Sequence, residues 1–302
     1  MDEHLGDPQG ALLQQAVEGN PLDWATVEHL LRTAASPEHF SHYVRMLSAY
    51  QGLEEHLAAL VTHDPTNSLY RLLLGARTSR WAWDARGDGT SDTVPVEAWA
   101  VWFGRLGQAE DLLNELVANE PGNAEAWRWL ITIGYARQVP DAECWRRYEH
   151  LVDADPLHYY GHQQMLEALK AKWGGSHEAM FDFARSRAAS APGTNLPVLI
   201  AEAHYELTNY VDRDEYLEQP EVGEELVRAV KQSVWHPDYQ ETLLSWEVRN
   251  LFAYLLACAD RDEEAARLFE EIGDTHMTRV PWDLDFRDPG DAFVSIRQSV
   301  RA

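Results

Sequence analysis

The sequence predicts an all-α protein, a solenoid of antiparallel helix pairs. Four segments, VTHDPTN, VANEPGN, VDADPLH and ASAPGTN, each follow an apolar stretch at helical spacing and precede another. Their prolines are Pro65, Pro121, Pro156 and Pro192; from 121 to 156 is 35 residues and from 156 to 192 is 36. That is the length of two short helices and two turns. A unit of that size buries its apolar face only by stacking on its neighbours. No stretch needs to be read as a strand.

Composition sets the outer limits. The chain has 302 residues, enough for one long stack or two compact domains with a substantial core. Hydrophobic residues make up 45% of it, which excludes disorder as the general state. Lys and Arg number 25 against 50 Asp and Glu, for a formal charge of −25. Such a chain repels nucleic-acid phosphate and anionic lipid; its acidic surface either favours basic partners or simply keeps the chain solvated. Cys144 and Cys258 stand among bulky residues in helical patterns, which suits buried apolar roles better than a disulfide or a metal site. Asp2, Glu3, Asp7 and Glu18 interrupt the first twenty residues, which therefore lack a secretory signal. No run approaches the ~18 apolar residues of a membrane span. The expected location is cytoplasmic.

The elements follow in order. Asp7-Pro8, Pro21-Leu22-Asp23 and Ser36-Pro37-Glu38 each open a short helix, with proline in a first turn beside a capping side chain. Residues 1–50 are thus expected to be short helices packing on the stack. Leu53, Leu57 and Leu60 begin the solenoid proper, taken as 51–273. A helix from Asn67 stops at Arg86-Gly87, and Pro95 starts a long one through Trp99, Trp102, Leu106, Leu113 and Leu116. The intervening Gly87–Val94 loop is the longest interruption within a pair. Pairs then follow at about 123–137 with 141–154, 157–171 with 176–190, 194–210 with 220–235, and 238–259 with 262–272. In the last segment, 274–302, Val280-Pro281-Trp282-Asp283 reads as extended coil and about 291–300 as a capping helix.

The segment EPGNAEAWRWLITIGYARQ, followed by YEHLVDADP, resembles a tetratricopeptide repeat. Trp127, Leu130 and Pro156 fall on that motif's first aromatic, its leucine and its terminal proline, and Cys144 and Tyr148 on the small and aromatic positions of the second helix. Ala253, Ala265 and Phe269 match the same pattern further on, and Ala109 matches a small position. Ile131 and Leu151 depart from it, standing where the family has glycine and alanine. The resemblance covers roughly 50–275 and implies a right-handed superhelix. A narrower block, HYYGHQQMLEALKAKWGGSHEAMFDFARSRAASAPG with PVLIAEAHYE, looks like a group of uncharacterised bacterial repeat proteins. They share a WGGS loop and a following AH dipeptide, which Trp173, Gly174, Gly175, Ser176 and His204 match. That likeness implies no activity.

Few constellations suggest chemistry. In WGGS, Gly174 can end one helix and Ser176 can cap the next, with Trp173 packing across; the alternative is a Gly174-Gly175 loop offering N–H groups to an anion. No lysine follows to make it a P-loop. His158 and His162 stand at i, i+4, a spacing that can chelate a metal, with Glu202, His204 and Glu206 on the equivalent helix of the next repeat. Register opposes that site: counted from their prolines, His158 and His204 differ in height by about 15 Å along parallel helices. Asp84, Asp88, Gly89 and Asp92 fail as a calcium loop, because Pro95 stands where the closing glutamate belongs. No GxSxG is present, and no cofactor is implied.

The aromatic load is larger than packing requires, with twelve Trp and twelve Tyr. By the tetratricopeptide resemblance, first helices line a concave face. The inward positions would be Arg128, Thr132, Tyr135, Tyr160, Gln163, Glu167, Lys170, His204 and Glu206. A groove of that chemistry suits an extended peptide or a helix. The function expected is therefore a scaffold that binds a basic protein or peptide, touching neither nucleic acid nor membrane. One alternative is an enzyme, metal-dependent or not, with its site around His158, His162, Trp173–Ser176 and His204. Another is an acidic mimic that inhibits a nucleic-acid-binding protein.

Overall fold

The computed structural model describes residues 4–87, 89 and 93–300, and every regular element among them is helical. No helix among the described residues is long and apolar enough to cross a membrane. By their contacts the residues gather into two compact units, Leu13–Ala168 and Met1–Leu12 with Leu169–Ala302. The division falls within the stretch read from sequence as one solenoid. Helix α1 (Pro8–Glu18) has residues in both units.

The Leu13–Ala168 unit holds α2 (Trp24–Arg32), α3 (Pro37–Ala49), α4 (Leu53–His63), α5 (Ser68–Arg86), α6 (Val96–Asn119), α7 (Ala124–Ala136), α8 (Asp141–Ala154) and α9 (Tyr159–Ala168). Helices α2, α3, α5 and α7 start on side-chain caps: Asp23 accepts from Thr26 N, Ser36 from His39 N, Asn67 from Tyr70 N and Asn123 from Ala126 N. Each satisfies an N–H that the first turn leaves without a partner. The helices of the expected pairs pack together, α5 on α6 and α7 on α8, and α7 also lies against α9. Leu72, Leu106, Leu113, Leu130 and Leu151 are fully buried between them. Small residues admit the large ones. A Cβ on Gly75 would stand 2.8 Å from the Leu113 side chain, and one on Gly161 would stand 2.2 Å from Leu151 Cδ1. The calcium-loop positions Asp88 and Asp92 and most of the Gly87–Val94 loop lie outside the described residues.

The other unit holds a 3-10 turn (Ala171–Trp173), α10 (His177–Ser190), α11 (Val198–Leu207), α12 (Arg213–Leu217), α13 (Pro220–Gln232), α14 (Ser245–Cys258), α15 (Asp262–Ile272), α16 (Trp282–Asp285) and α17 (Pro289–Ser299). Here α10 packs on α11, α11 on α13 and α14, and α14 on α15. Two expectations are corrected. The helix expected from about 238 begins at Ser245, because Tyr239, Asn195, Thr242 and Ser245 bind one another and the Thr242 N–H goes to Ser245 Oγ at 2.8 Å. Local side-chain bonds there replace the helical ladder. Trp282, expected in coil, starts α16 and is fully buried, with its indole N–H on Asn250 Oδ1 at 2.8 Å.

Candidate functional site

The two histidines at chelating spacing serve the repeat turns. Two residues past each proline stand Asn67, Asn123 and His158, and each accepts the N–H three residues on; His158 Nδ1 takes that of Gly161 at 3.0 Å. Six residues past each proline stand Arg71, Trp127 and His162, and each binds that proline's carbonyl. The distances are 2.6 Å from Arg71 Nη2, 2.8 Å from Trp127 Nε1 and 2.9 Å from His162 Nε2. The remaining nitrogen of His162 lies 2.7 Å from the Tyr148 hydroxyl. Both rings are buried and their lone pairs are taken, so neither is a metal ligand as it stands. Among the described residues no cluster of three or more His, Cys, Asp or Glu could hold an ion.

The same cap decides the chemistry of a Ser-His-Glu constellation. His158 Nε2 lies 3.0 Å from Ser41 Oγ and 3.2 Å from Glu125 Oε2. Because Nδ1 accepts the Gly161 N–H, Nε2 carries the ring proton and cannot take one from Ser41. In a nucleophilic triad the acid and the hydroxyl meet opposite nitrogens of the ring; here both meet Nε2. The arrangement is structural.

The positions expected to line an open face are largely closed. Arg128, Thr132 and Tyr160 are buried, while Tyr135, Gln163 and Glu167 are half-buried. Arg128 and Thr132 are buried because α7 is covered by α5, α6, α8 and α9, and Tyr160 because α9 packs on α7 and α8. The Thr132 and Tyr135 hydroxyls both donate to Gln164 Oε1, at 2.9 and 3.0 Å. Burial, followed by the charge of Glu167, pushes the Tyr135 hydroxyl well above the usual phenol range. Burial alone would raise the Glu125 carboxyl, but Arg128, His158 and Ser41 together hold it below its ordinary value.

In the Leu169–Ala302 unit, Lys170 Nζ lies 2.9 Å from Glu206 Oε2, and Lys172 stands at 3.8 Å from the same carboxylate. The two groove charges expected to meet a ligand therefore neutralise each other. The WGGS loop is a helix junction. Gly174 takes φ +99 after the 3-10 turn, and Ser176 caps α10 by accepting the Ala179 N–H at 3.0 Å. A Cβ on Gly175 would stand 2.0 Å from the Leu169 carbonyl oxygen, so glycine is required there by contact. With both glycines and Ser176 so used, the loop needs no bound anion to explain it.

His204 opens the best site. It is buried at the floor of a pocket of about 440 Å³, with Phe181 and Val222 as apolar walls. Glu225 receives a bidentate pair from Arg185, at 2.8 and 2.9 Å, and lies 3.2 Å from His204 Nε2. The Arg185 and His204 hydrogen bonds hold the Glu225 carboxyl far below the usual carboxylate range. An ionised carboxylate only accepts, so His204 Nε2 carries the proton and Nδ1 accepts from the Tyr216 hydroxyl at 2.6 Å. Burial, then the Glu225 charge, pushes that hydroxyl up to about 12. Proton transfer works best when acid and base titrate near the working pH. Here burial and hydrogen bonding carry the two groups away from that range, the carboxylate down and the phenol up. On the stretch from Asp212 through α13, which also gives the pocket Tyr216, Gln219, Glu221, Val222 and Glu225, the carboxylates of Asp212, Asp214, Glu215, Glu218, Glu221 and Glu224 are all exposed.

Of this pocket, sequence reasoning found only His204. Tyr216 lies 12 residues further on, in the acidic connector between the helices read as 194–210 and 220–235, and Glu225 lies 21 on, within the second of those helices. The acidic spacing of that connector was the available signal. No protein-family model, curated protein or solved structure matches this chain.

Proposed function

We propose that the chain is a binding protein that holds a basic segment of a protein partner against α12–α13, with one uncharged side chain seated in the His204 pocket. The observation that carries this is an open, electrically balanced pocket beside five further exposed carboxylates, Asp212, Asp214, Glu215, Glu218 and Glu224. The lining charges cancel, Arg185 and Arg228 against Glu221 and Glu225, so a neutral anchor suits the interior. The rim attracts Lys and Arg on either side of that anchor, and the net charge of −25 steers such a segment from a distance. The proposal places the protein in the cytoplasm, where Cys144 and Cys258 stay reduced as thiols.

Calorimetric titration with peptides tests this. Peptides carrying a Phe or Leu flanked by Lys and Arg are expected to bind saturably, weaken as salt rises, and lose roughly tenfold in affinity when Glu218, Glu221 and Glu224 all become Gln. Those residues are exposed, so the fold survives the change. Equal binding of acidic peptides, or an unchanged affinity in the triple variant, would end the proposal.

A further inference from the structure

Tyr216, His204 and Glu225 have the order that Ser41, His158 and Glu125 lack. The Tyr216 hydroxyl lies 2.6 Å from His204 Nδ1 and the Glu225 carboxylate 3.2 Å from Nε2, so hydroxyl and acid meet opposite nitrogens of one ring. Because the ionised carboxylate takes the Nε2 proton, Nδ1 is the nitrogen able to receive another. Tyr216 is half-buried and lines the open pocket. Among the described residues nothing donates to its oxygen, which leaves a lone pair for attack.

A second tyrosine sets the contrast. Tyr148 meets His162 Nδ1 at 2.7 Å, but the opposite nitrogen goes to the Pro156 carbonyl, and both side chains are buried. At Tyr216 the acid is present and is fixed from behind. Arg185 grips Glu225 at 2.8 and 2.9 Å and, with His204, keeps its carboxyl far below the usual range. An orienting acid has to stay charged, since the proton moves only between hydroxyl and imidazole. Burial raises the Tyr216 hydroxyl to about 12, and it still gives up its proton more readily than bulk water at about 15.7. Gln219, Glu221 and Val222, at the start of α13, also line the pocket, and that helix start has no side-chain cap. Its N–H groups and the Arg228 guanidinium favour negative charge developing there.

We infer that Tyr216 is a nucleophile that accepts the acyl group of an uncharged carboxylic ester, with His204 as general base and Glu225 orienting the ring. Tyr216 Oη bonds to the ester carbonyl carbon while His204 Nδ1 takes the phenol proton, and the imidazolium so formed faces Glu225 across Nε2. The bond from that carbon to the alcohol oxygen then breaks. His204 returns the proton to the departing oxygen, and the acyl group stays on Tyr216 as an aryl ester. An uncharged donor fits because two guanidiniums and two carboxylates line the pocket, and a phosphate donor would meet Glu221 and Glu225. The reaction uses the same pocket as the partner's anchor proposed above and needs no partner.

The whole chain with 4-nitrophenyl acetate tests it. At pH 7, peptide mapping by mass spectrometry is expected to find acetyl on Tyr216 sooner than on Tyr210, although Tyr210 is the more exposed of the two. The accompanying burst of nitrophenolate is expected to be lost in Tyr216→Phe and to slow in D2O, because the phenol proton is in transfer. Glu225→Gln keeps the shape without the charge, and is expected to lower the burst rate roughly tenfold or more. It is also expected to move the rise of rate with pH to lower pH, a shift that a purely structural role would not produce. No acetyl on Tyr216, labelling of Tyr210 at an equal or greater rate, or a burst indifferent to D2O or to Glu225→Gln would overturn the assignment. Peptide binding plays no part in this assay, so either proposal can fail alone.

Discussion

At the scale of single residues, what decides a role is which lone pair is already in use. Glu225 shows the consequence most directly. Its carboxyl is held below its ordinary 4.5 first by the Arg185 and then by the His204 hydrogen bonds, so its contribution is full above that pH and is lost as pH falls below it. Glu225→Gln is expected to destabilise the fold by about 1–2 kcal/mol at pH 7, a value lowered because half of Arg185 is exposed. The gap between wild type and variant is expected to close on acidification below 4.5. Urea denaturation at pH 7 and pH 3 measures it, and a gap that widens would contradict the assignment. His158 and His162 give a second test. Their nitrogens serve Gly161, Pro156 and Tyr148, so chelator-washed protein is expected to bind no stoichiometric zinc by calorimetry. Half of that conclusion could be read from sequence. Asn67 and Asn123 hold the place that His158 holds after its own proline, which marks it as a cap.

At the scale of elements, the joins were legible and the contacts between helices were not. Proline, then a capping side chain, then an apolar period is local information, and the ends of α5, α7 and α8 follow it closely. Against the tetratricopeptide pattern expected from sequence, Leu151 reads as too large for its position, from which wider helix spacing would follow. The structure answers with Gly161 on the neighbouring helix, and only contact between α8 and α9 reveals the match. Gly161 lies inside α9 with an ordinary helical φ, so alanine there gains about 0.5–1 kcal/mol of helix propensity. Against that, a methyl at 2.2 Å from Leu151 overpacks the contact by about 1–3 kcal/mol. The clash is expected to win. Gly161→Ala is expected to lower the urea midpoint, and Leu151→Ala in the same chain to recover part of the loss. A midpoint raised by Gly161→Ala alone would mean that the helices part freely. The buried Arg128 cluster was illegible for the same reason: Ser41 and His158 are 117 residues apart and meet only in the folded unit.

At the scale of the whole molecule, charge and pairing pull stability in opposite directions along the pH axis. With a formal charge of −25 the folded chain repels itself at pH 7, and protonation toward the sequence pI of about 4.8 relieves that strain. Further acidification removes paired carboxylates. Hydrogen bonds from Arg146 and Arg147 carry the Glu143 carboxyl down to about 2, and Glu225 is also depressed. Both are worth most when ionised. Their contributions hold above the ordinary 4.5 and fade as pH falls through the depressed values. Repulsion therefore favours lower pH down to about 5, and pairing favours higher pH below that, so the thermal midpoint is expected to peak near pH 5. Salt separates the two terms. Between about 0.01 M, where the Debye length is about 30 Å, and about 0.15 M, where it is about 8 Å, long-range repulsion is screened while contacts under 3 Å keep most of their strength. Added salt is expected to raise the midpoint at pH 7 and to leave it nearly unchanged at pH 5. A midpoint that falls with salt at pH 7 would mean that surface ion pairs, and not net charge, govern the stability of this acidic chain.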